Sequence, residues 1–256
     1  MARKRRSNDT SQTNVDGLMR RQNKKRNPIN SQLLLNIEPM TKTQVVLFDS
    51  YSEGKNIVAY GSAGTGKTFC VLYNALREVL DEKSPYEKIY IIRSIVSTRD
   101  VGFLPGMLEE KIEMYEMPYK YMVKFMFQLA SDEDFSMLYG NLKSQKTIEF
   151  SSTSFIRGTT YDNCIIIVDE FSNLNFHELD SIITRVGENS KICFCGDAEQ
   201  SDLVKTSERN GIIDFMDILR KMPSFDIIEF GIEDVIRSGL VKEYLTVKHE
   251  LGISSI

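Results

Sequence analysis

The stretch Gly61-Ser62-Ala63-Gly64-Thr65-Gly66-Lys67-Thr68 decides the fold. Two glycines, Gly61 and Gly66, bracket four residues and are followed by Lys-Thr, the pattern of a phosphate-binding loop. The flanks agree with that reading. Asn56–Tyr60 is a short β-prone apolar run ending at the glycine turn, and Phe69–Leu80 carries apolar residues at helical spacing, so the loop joins a strand to a helix. The helix N-terminus then presents unpaired N–H groups and a positive dipole end to an anion. Gly61, Gly64 and Gly66 allow backbone N–H groups to close on phosphate oxygens. Ser62, Ala63, Thr65 and Phe69 complete the candidate binding stretch, Lys67 neutralises the β and γ phosphates, and Thr68 offers a hydroxyl to Mg²⁺. A nucleoside triphosphate site is the expectation.

Working outward, 256 residues suffice for a real core and suggest one globular domain with an appendage. The boundaries expected are an arm over 1–30 and the domain over 31–256. No apolar run approaches the 18 or so residues of a membrane span, so no membrane role is expected. Met1–Arg6 is basic but leads into Ser, Asn, Asp and Thr rather than an apolar segment, which argues against a secretory signal and for a cytoplasmic protein. Residues 1–30 hold nine Lys/Arg against Asp9 and Asp16, a charge of +7, and the rest of the chain carries −11. The arm is therefore basic, poor in apolar residues and expected to be disordered alone. It either attracts a nucleic-acid backbone or serves as a solvated tail against the acidic body. Cys70, Cys164, Cys193 and Cys195 lie in apolar segments without zinc spacing and read as small buried hydrophobes.

Upstream of the loop, Thr41–Ser52 reads as a helix with Gln44 in its first turn, 17 residues before Gly61. An amide there lies on the surface or pairs with both the donor and acceptor edges of adenine. Downstream, Lys88–Arg93 is a strand that opens into an irregular loop over Ser94–Gly106. Such loops carry ligand contacts in open α/β sheets. Thr98, Arg99 and Phe103 could hold a nucleic-acid backbone and stack a base, or Phe103 and Leu104 could plug the loop. Met107–Ala130 is helical in pattern with an interruption at Pro118, and Lys146–Ser151 is a short strand.

Asn163–Val168 is a near-continuous apolar run closing on Asp169-Glu170, a strand buried on both faces that ends in two acids. In this Walker B arrangement Asp169 holds the Mg²⁺ hydration shell beside Thr68, and Glu170 accepts a proton from the attacking water. Asn175 caps a helix through Val186, with Thr184 and Arg185 at its end, where a cation is also expected from the helix dipole alone. Lys191–Cys195 is a further apolar strand running into Gly196-Asp197-Ala198-Glu199-Gln200, and the Gln200 amide suits sensing of the γ-phosphate. With Glu170, Gln200 indicates a sensor strand lying between the loop strand and the Walker B strand, and water attack rather than transfer to a small molecule. Phe225–Phe230 is the last strand and Glu233–His249 the last helix. If Asp234 caps that helix, Arg237 falls in its first turn, where it faces an anion or pairs with Glu233.

Gly61–Thr68, GFLPG (Gly102–Gly106), FIRGT (Phe155–Thr159), IVDE (Ile167–Glu170), TRVG (Thr184–Gly187), SKICFCGDAEQ (Ser190–Gln200) and Asp234–Val241 together resemble the PhoH-like ATPases, in order over residues 39–248. The resemblance implies a single RecA-type α/β domain: a three-layer P-loop NTPase with a mainly parallel central sheet, related to the motor core of superfamily 1 helicases. It implies ATPase activity with ATP and Mg²⁺ and suspected action on RNA. It implies that Gln44 reads adenine, that Lys67, Thr68, Asp169, Glu170 and Gln200 form the ATP–Mg²⁺ site, and that Arg185 and Arg237 are arginine candidates near the phosphates. Arg99, Phe103 and Arg157 are the candidates for contact with single-stranded RNA or DNA. Some relatives carry a PIN ribonuclease domain, which residues 1–38 are too few to contain, so no intrinsic nuclease is expected. A lone RecA-type domain leaves ATP with one wall, so a homo-oligomer is expected in which a neighbouring copy completes the site, as in a hexameric ring. The competing expectation is an ATP-dependent switch or clamp that regulates a protein partner.

Overall fold

The computed structural model describes residues 29–94, 108–153, 156, 158–197 and 206–251, with the side chains of 108–111 and 206–210 outside that description. Six strands form the sheet: β1 (Asn56–Gly61), β2 (Lys88–Arg93), β3 (Ile148–Ser152), β4 (Cys164–Asp169), β5 (Lys191–Gly196) and β6 (Phe225–Phe230). Their order is β3-β2-β4-β5-β1-β6, and every pairing is parallel. β4 and β5, the central pair, are buried at every residue, which is why both read as unbroken apolar runs. β5 separates the loop strand β1 from β4, the position expected of a sensor strand.

Alternate residues along the strands feed two cores. Ile57, Ala59, Ile91, Ile165, Ile167, Cys193 and Cys195 face one side. There they meet α1 (Lys42–Ser52), α2 (Lys67–Val79), α3 (Leu108–Phe127) and α4 (Asp132–Ser144). Val58, Ile92, Ile166, Val168, Ile192 and Phe194 face the other side, against α5 (Phe176–Ile183) and α6 (Thr206–Arg220). The result is the expected three-layer α/β sandwich. All four cysteines are free and buried. Among the described residues no helix is long and apolar enough to cross a membrane.

Local signals set most boundaries. Thr41 caps α1, its side chain accepting the Gln44 N–H, and Asn175 and Glu178 form a capping box at α5. Besides α5, which ends at Ile183 instead of running through Val186, three elements differ from the sequence reading. Pro118 does not interrupt α3: the helix runs continuously from Leu108 to Phe127. One missing N–H is outweighed there by the burial of Tyr119, Val123 and Met126 on the following turns. Helix α4 is absent from the sequence reading, although Ser131 caps it, three acids fill its first turn, and Phe135, Leu138, Tyr139 and Leu142 form its buried face. The last helix, α7 (Gly239–Glu250), starts six residues later than Glu233. Asp234 ends a 3₁₀ turn, Ile232–Asp234, and its carboxylate accepts the Gly231 N–H, so Arg237 precedes α7 instead of lying in its first turn.

Residues 1–28 of the arm expected over 1–30, the loop residues 95–107 with Arg99 and Phe103, and Arg157 and Gln200 lie outside the described residues.

Candidate nucleotide and metal site

Because all six strands are parallel, their C-terminal ends share one edge of the sheet, and the register decides what meets there. Arg93 at the end of β2 pairs with Asp169 at the end of β4, Asp169 pairs with Cys195, Tyr60 with Gly196, and Gly61 with Phe230. A cavity of about 550 Å³ opens at this edge, lined by Ala63–Phe69 together with Arg93, Asp169, Glu170, Asp197 and Arg237. That volume lies within the range of small-molecule sites.

The loop is bound down on both sides. Gly61, at φ +112°, could carry no side chain, because a Cβ would collide with the Phe230 carbonyl of β6, and the Ser62 N–H donates to that same carbonyl at 2.9 Å. At Gly64, φ +76°, a Cβ would stand 2.9 Å from Cγ of Arg237, and the Ile236 N–H donates to the Gly64 carbonyl at 3.2 Å. Arg237 therefore lies across the loop. Gln44 secures the opposite side: buried, it donates from Nε2 to the Thr65 carbonyl at 2.9 Å and accepts the Met40 N–H at 2.8 Å. Each end of that amide retains one further hydrogen-bonding valence, an N–H on Nε2 and a lone pair on Oε1.

Lys67 opens α2 with its ammonium turned back on the loop, donating to the carbonyls of Gly61 at 2.8 Å and Ser62 at 2.7 Å and to Thr65 Oγ1 at 3.3 Å. Burial pulls its pKa below the ordinary lysine value, opposed by the negative charge of Asp197, Glu170 and Asp169 nearby. Thr68 Oγ1 donates to Asp169 Oδ1 at 2.7 Å, which joins the loop directly to the end of β4. With its proton directed at Asp169, that hydroxyl keeps its lone pairs for another ligand.

Glu170 follows in left-handed conformation, φ 54° and ψ 41°, a costly backbone for a non-glycine residue. Its carboxylate stands 3.7 Å from the Arg93 guanidinium. Burial raises its pKa, with Asp169 adding to the shift and Arg93 and Lys67 opposing it. A carboxylate with raised proton affinity beside an anion-binding loop is suited to accept a proton from water.

Thr68, Asp169 and Glu170 supply hard oxygen donors, the chemistry Mg²⁺ takes. They are too few for an all-protein cage, and among the described residues no cluster of three or more His, Cys, Asp or Glu could hold a metal. The set fits an ion completed by phosphate oxygens and water.

Arg185 is not brought to this edge. Its backbone carbonyl accepts the Tyr161 N–H at 2.9 Å, three residues before β4 begins, whereas Asp169 ends β4. A strand of six residues separates the two by roughly 17–20 Å. The guanidinium donates from Nε to the Ile156 carbonyl at 3.0 Å and from Nη1 to the Ser181 carbonyl at 2.8 Å. Arg185 is therefore not brought together with the loop and Asp169 of its own chain, which leaves a neighbouring copy's phosphates as its candidate target. Conversely, Arg93, Tyr119 and Asp197 belong to the site and are not among the residues singled out from the sequence. Arg93 carried a signal, being a lone cation closing an apolar strand, and Asp197 another, following β5 directly. Nothing in the sequence marked Tyr119.

A sequence model described as "PhoH-like protein" matches residues 36–248. The chain is 29% identical over 224 residues to a PhoH-like protein of Mycobacterium leprae, covering 85% of this chain and 61% of that protein. It is 30% identical over 208 residues to a PhoH-like protein of Mycobacterium tuberculosis, covering 81% and 56%. Protein PhoH2 of Bacillus subtilis is 35% identical over 147 residues, 57% of this chain and 32% of that protein. The chain thus spans about six-tenths or less of the length of these relatives. Among solved structures, the large terminase of a thermophilic bacteriophage in complex with ADP aligns with a TM-score of 0.46 at 14% identity, covering 81% of this chain and 50% of that one. Unliganded Pif1 from a Bacteroides species aligns at 0.38 and 15%, covering 84% and 46%.

Proposed function

The chain belongs to the PhoH-like protein family, and from that premise we propose that it is an ATPase that couples hydrolysis to movement along, or remodelling of, single-stranded nucleic acid, RNA in preference to DNA. The observation that carries this reading is the 2.7 Å bond between Thr68 and Asp169, with Glu170 beside it. It unites a phosphate loop, a metal-binding carboxylate and a base at one strand edge. Thr68 and Asp169 would hold Mg²⁺, which supplies charge neutralisation on the phosphates when bound. Lys67 would exchange its loop carbonyls for phosphate oxygens, so that both partners of the bond are charged. Glu170 orients the attacking water and takes its proton, and Arg237, lying over Gly64, faces the phosphates from the same chain. Gln200 as γ-phosphate sensor rests on its place in the sequence after β5. Gln44 reads adenine with the valences its loop contacts leave free.

The protein so read is cytoplasmic and acts as a homo-oligomer, a neighbouring copy closing the site. Arg99, Phe103, Arg157 and the basic arm are the candidate contacts to nucleic acid.

ATP hydrolysis measured with single-stranded RNA, with single-stranded DNA and with neither tests this reading. RNA is expected to stimulate most, and stimulation should decline with added salt as phosphate contacts are screened. Equal rates in all three conditions would overturn the nucleic-acid coupling and leave an ATP-dependent switch acting on a protein partner.

A further inference from the structure

Asp169 is held from two sides. Oδ1 accepts from Thr68, and Oδ2 accepts the Tyr119 hydroxyl at 2.6 Å. Tyr119 belongs to α3, which lies between β2 and β3 in the chain and far from both nucleotide motifs. Its side chain is 1% exposed, so the phenol has left water entirely, and its partner is a carboxylate, which makes the bond charge-assisted. The same helix places Pro118 and Met122 in the cavity wall. One turn earlier, buried Glu116 accepts from Tyr139 Oη and from Lys143 Nζ of α4, each at 2.8 Å. A continuous path therefore runs from α4 through α3 to the carboxylate at the end of β4.

A carboxylate anchored by one oxygen can still rotate about its terminal torsion, which is broad and soft. Donors on both oxygens leave a single orientation. We propose that Tyr119 is the positioning residue for Asp169, holding the carboxylate turned toward Thr68 and so making the α3–α4 hairpin part of the metal–nucleotide site. The proposal rests on the nucleotide–Mg²⁺ reading above. Partners one shell out from a metal ligand govern its readiness to bind, and losing one costs metal affinity without touching the phosphate contacts. Tyr119→Phe removes one oxygen and keeps the buried ring, so the packing of α3 is preserved.

Binding of a fluorescent ADP analogue, followed by anisotropy in EDTA and across a Mg²⁺ titration, separates the two contributions. In Tyr119→Phe the affinity in EDTA is expected to match wild type, while the Mg²⁺ needed for half-maximal tightening rises about tenfold. Adding Tyr119→Phe to Asp169→Asn should raise it no further, because the two changes break one linkage. An unaltered Mg²⁺ dependence in the single variant would overturn the inference, as would an equal loss of affinity with and without Mg²⁺, or full additivity with Asp169→Asn. Should the wild-type protein fail to bind the analogue in either condition, the nucleotide reading falls and takes this inference with it. Wild-type binding with an unchanged variant refutes the inference alone.

Discussion

The two walls of the site are built in different ways. The loop wall is nearly all one octapeptide, shaped by its own glycines and the start of α2 and tied down by Gln44, Phe230 and Ile236. The carboxylate wall is assembled from Arg93 on β2, Tyr119 on α3, Asp169 and Glu170 on β4, and Asp197 after β5, elements spread over more than a hundred residues. The loop wall carries the positive charge and the N–H groups that bind phosphate. In the proposed function the carboxylate wall carries the groups that would handle metal and proton. The Thr68–Asp169 bond joins the two walls, so substitutions on either side of it test how far binding and chemistry separate.

The contrast is sharpest at Glu170. Glu170→Gln keeps the volume and removes the proton acceptor, so nucleotide affinity should hold while turnover falls about 10³-fold. Phosphate release alongside equilibrium nucleotide binding checks this, and wild-type turnover would remove Glu170 as the base. Lys67→Ala should do the opposite, weakening nucleotide binding by roughly 10²-fold through loss of charged hydrogen bonds to phosphate. Unchanged affinity, read by calorimetry, would break the division between the walls. Arg185→Ala should have the smallest effect: two bonds to backbone carbonyls are lost, lowering unfolding stability by about 1–2 kcal/mol in urea while nucleotide affinity stays put. If its ATPase rate falls only at protein concentrations where copies associate, Arg185 acts on a neighbour's site.

The loop strand, β4 and β5 were legible because the middle of a parallel strand covered on both faces is apolar, and that leaves a continuous run between the polar ends. Asn175 was legible as a cap for an equally local reason: side chain and backbone partner lie three residues apart. The misread elements share a different cause. Pro118 breaks an isolated helix, yet α3 survives because Tyr119, Val123 and Met126 are buried against the rest of the molecule. Arg237 was given the right neighbourhood by the wrong element, since its place depends on the Ile236 N–H meeting Gly64 across the fold. Arg185 and Arg237 look alike as sequence, two cations near turns, and only long-range contacts separate them: Tyr161 holds Arg185 before the start of β4, and Gly64 holds the segment carrying Arg237 at the loop.

Local chain chemistry was therefore sufficient for a phosphate loop between strand and helix and for a buried strand ending in Asp169-Glu170, whereas the parallel three-layer sandwich was implied by the family resemblance. Sequence spacing carried the first two because hydrogen-bonding range and strand burial act between near neighbours. The orientation of Asp169, the partner of Glu170 and the exclusion of Arg185 follow from strand register and from the docking of α3. These are long-range contacts, settled by how the whole core packs and left unmarked in any short stretch of chain.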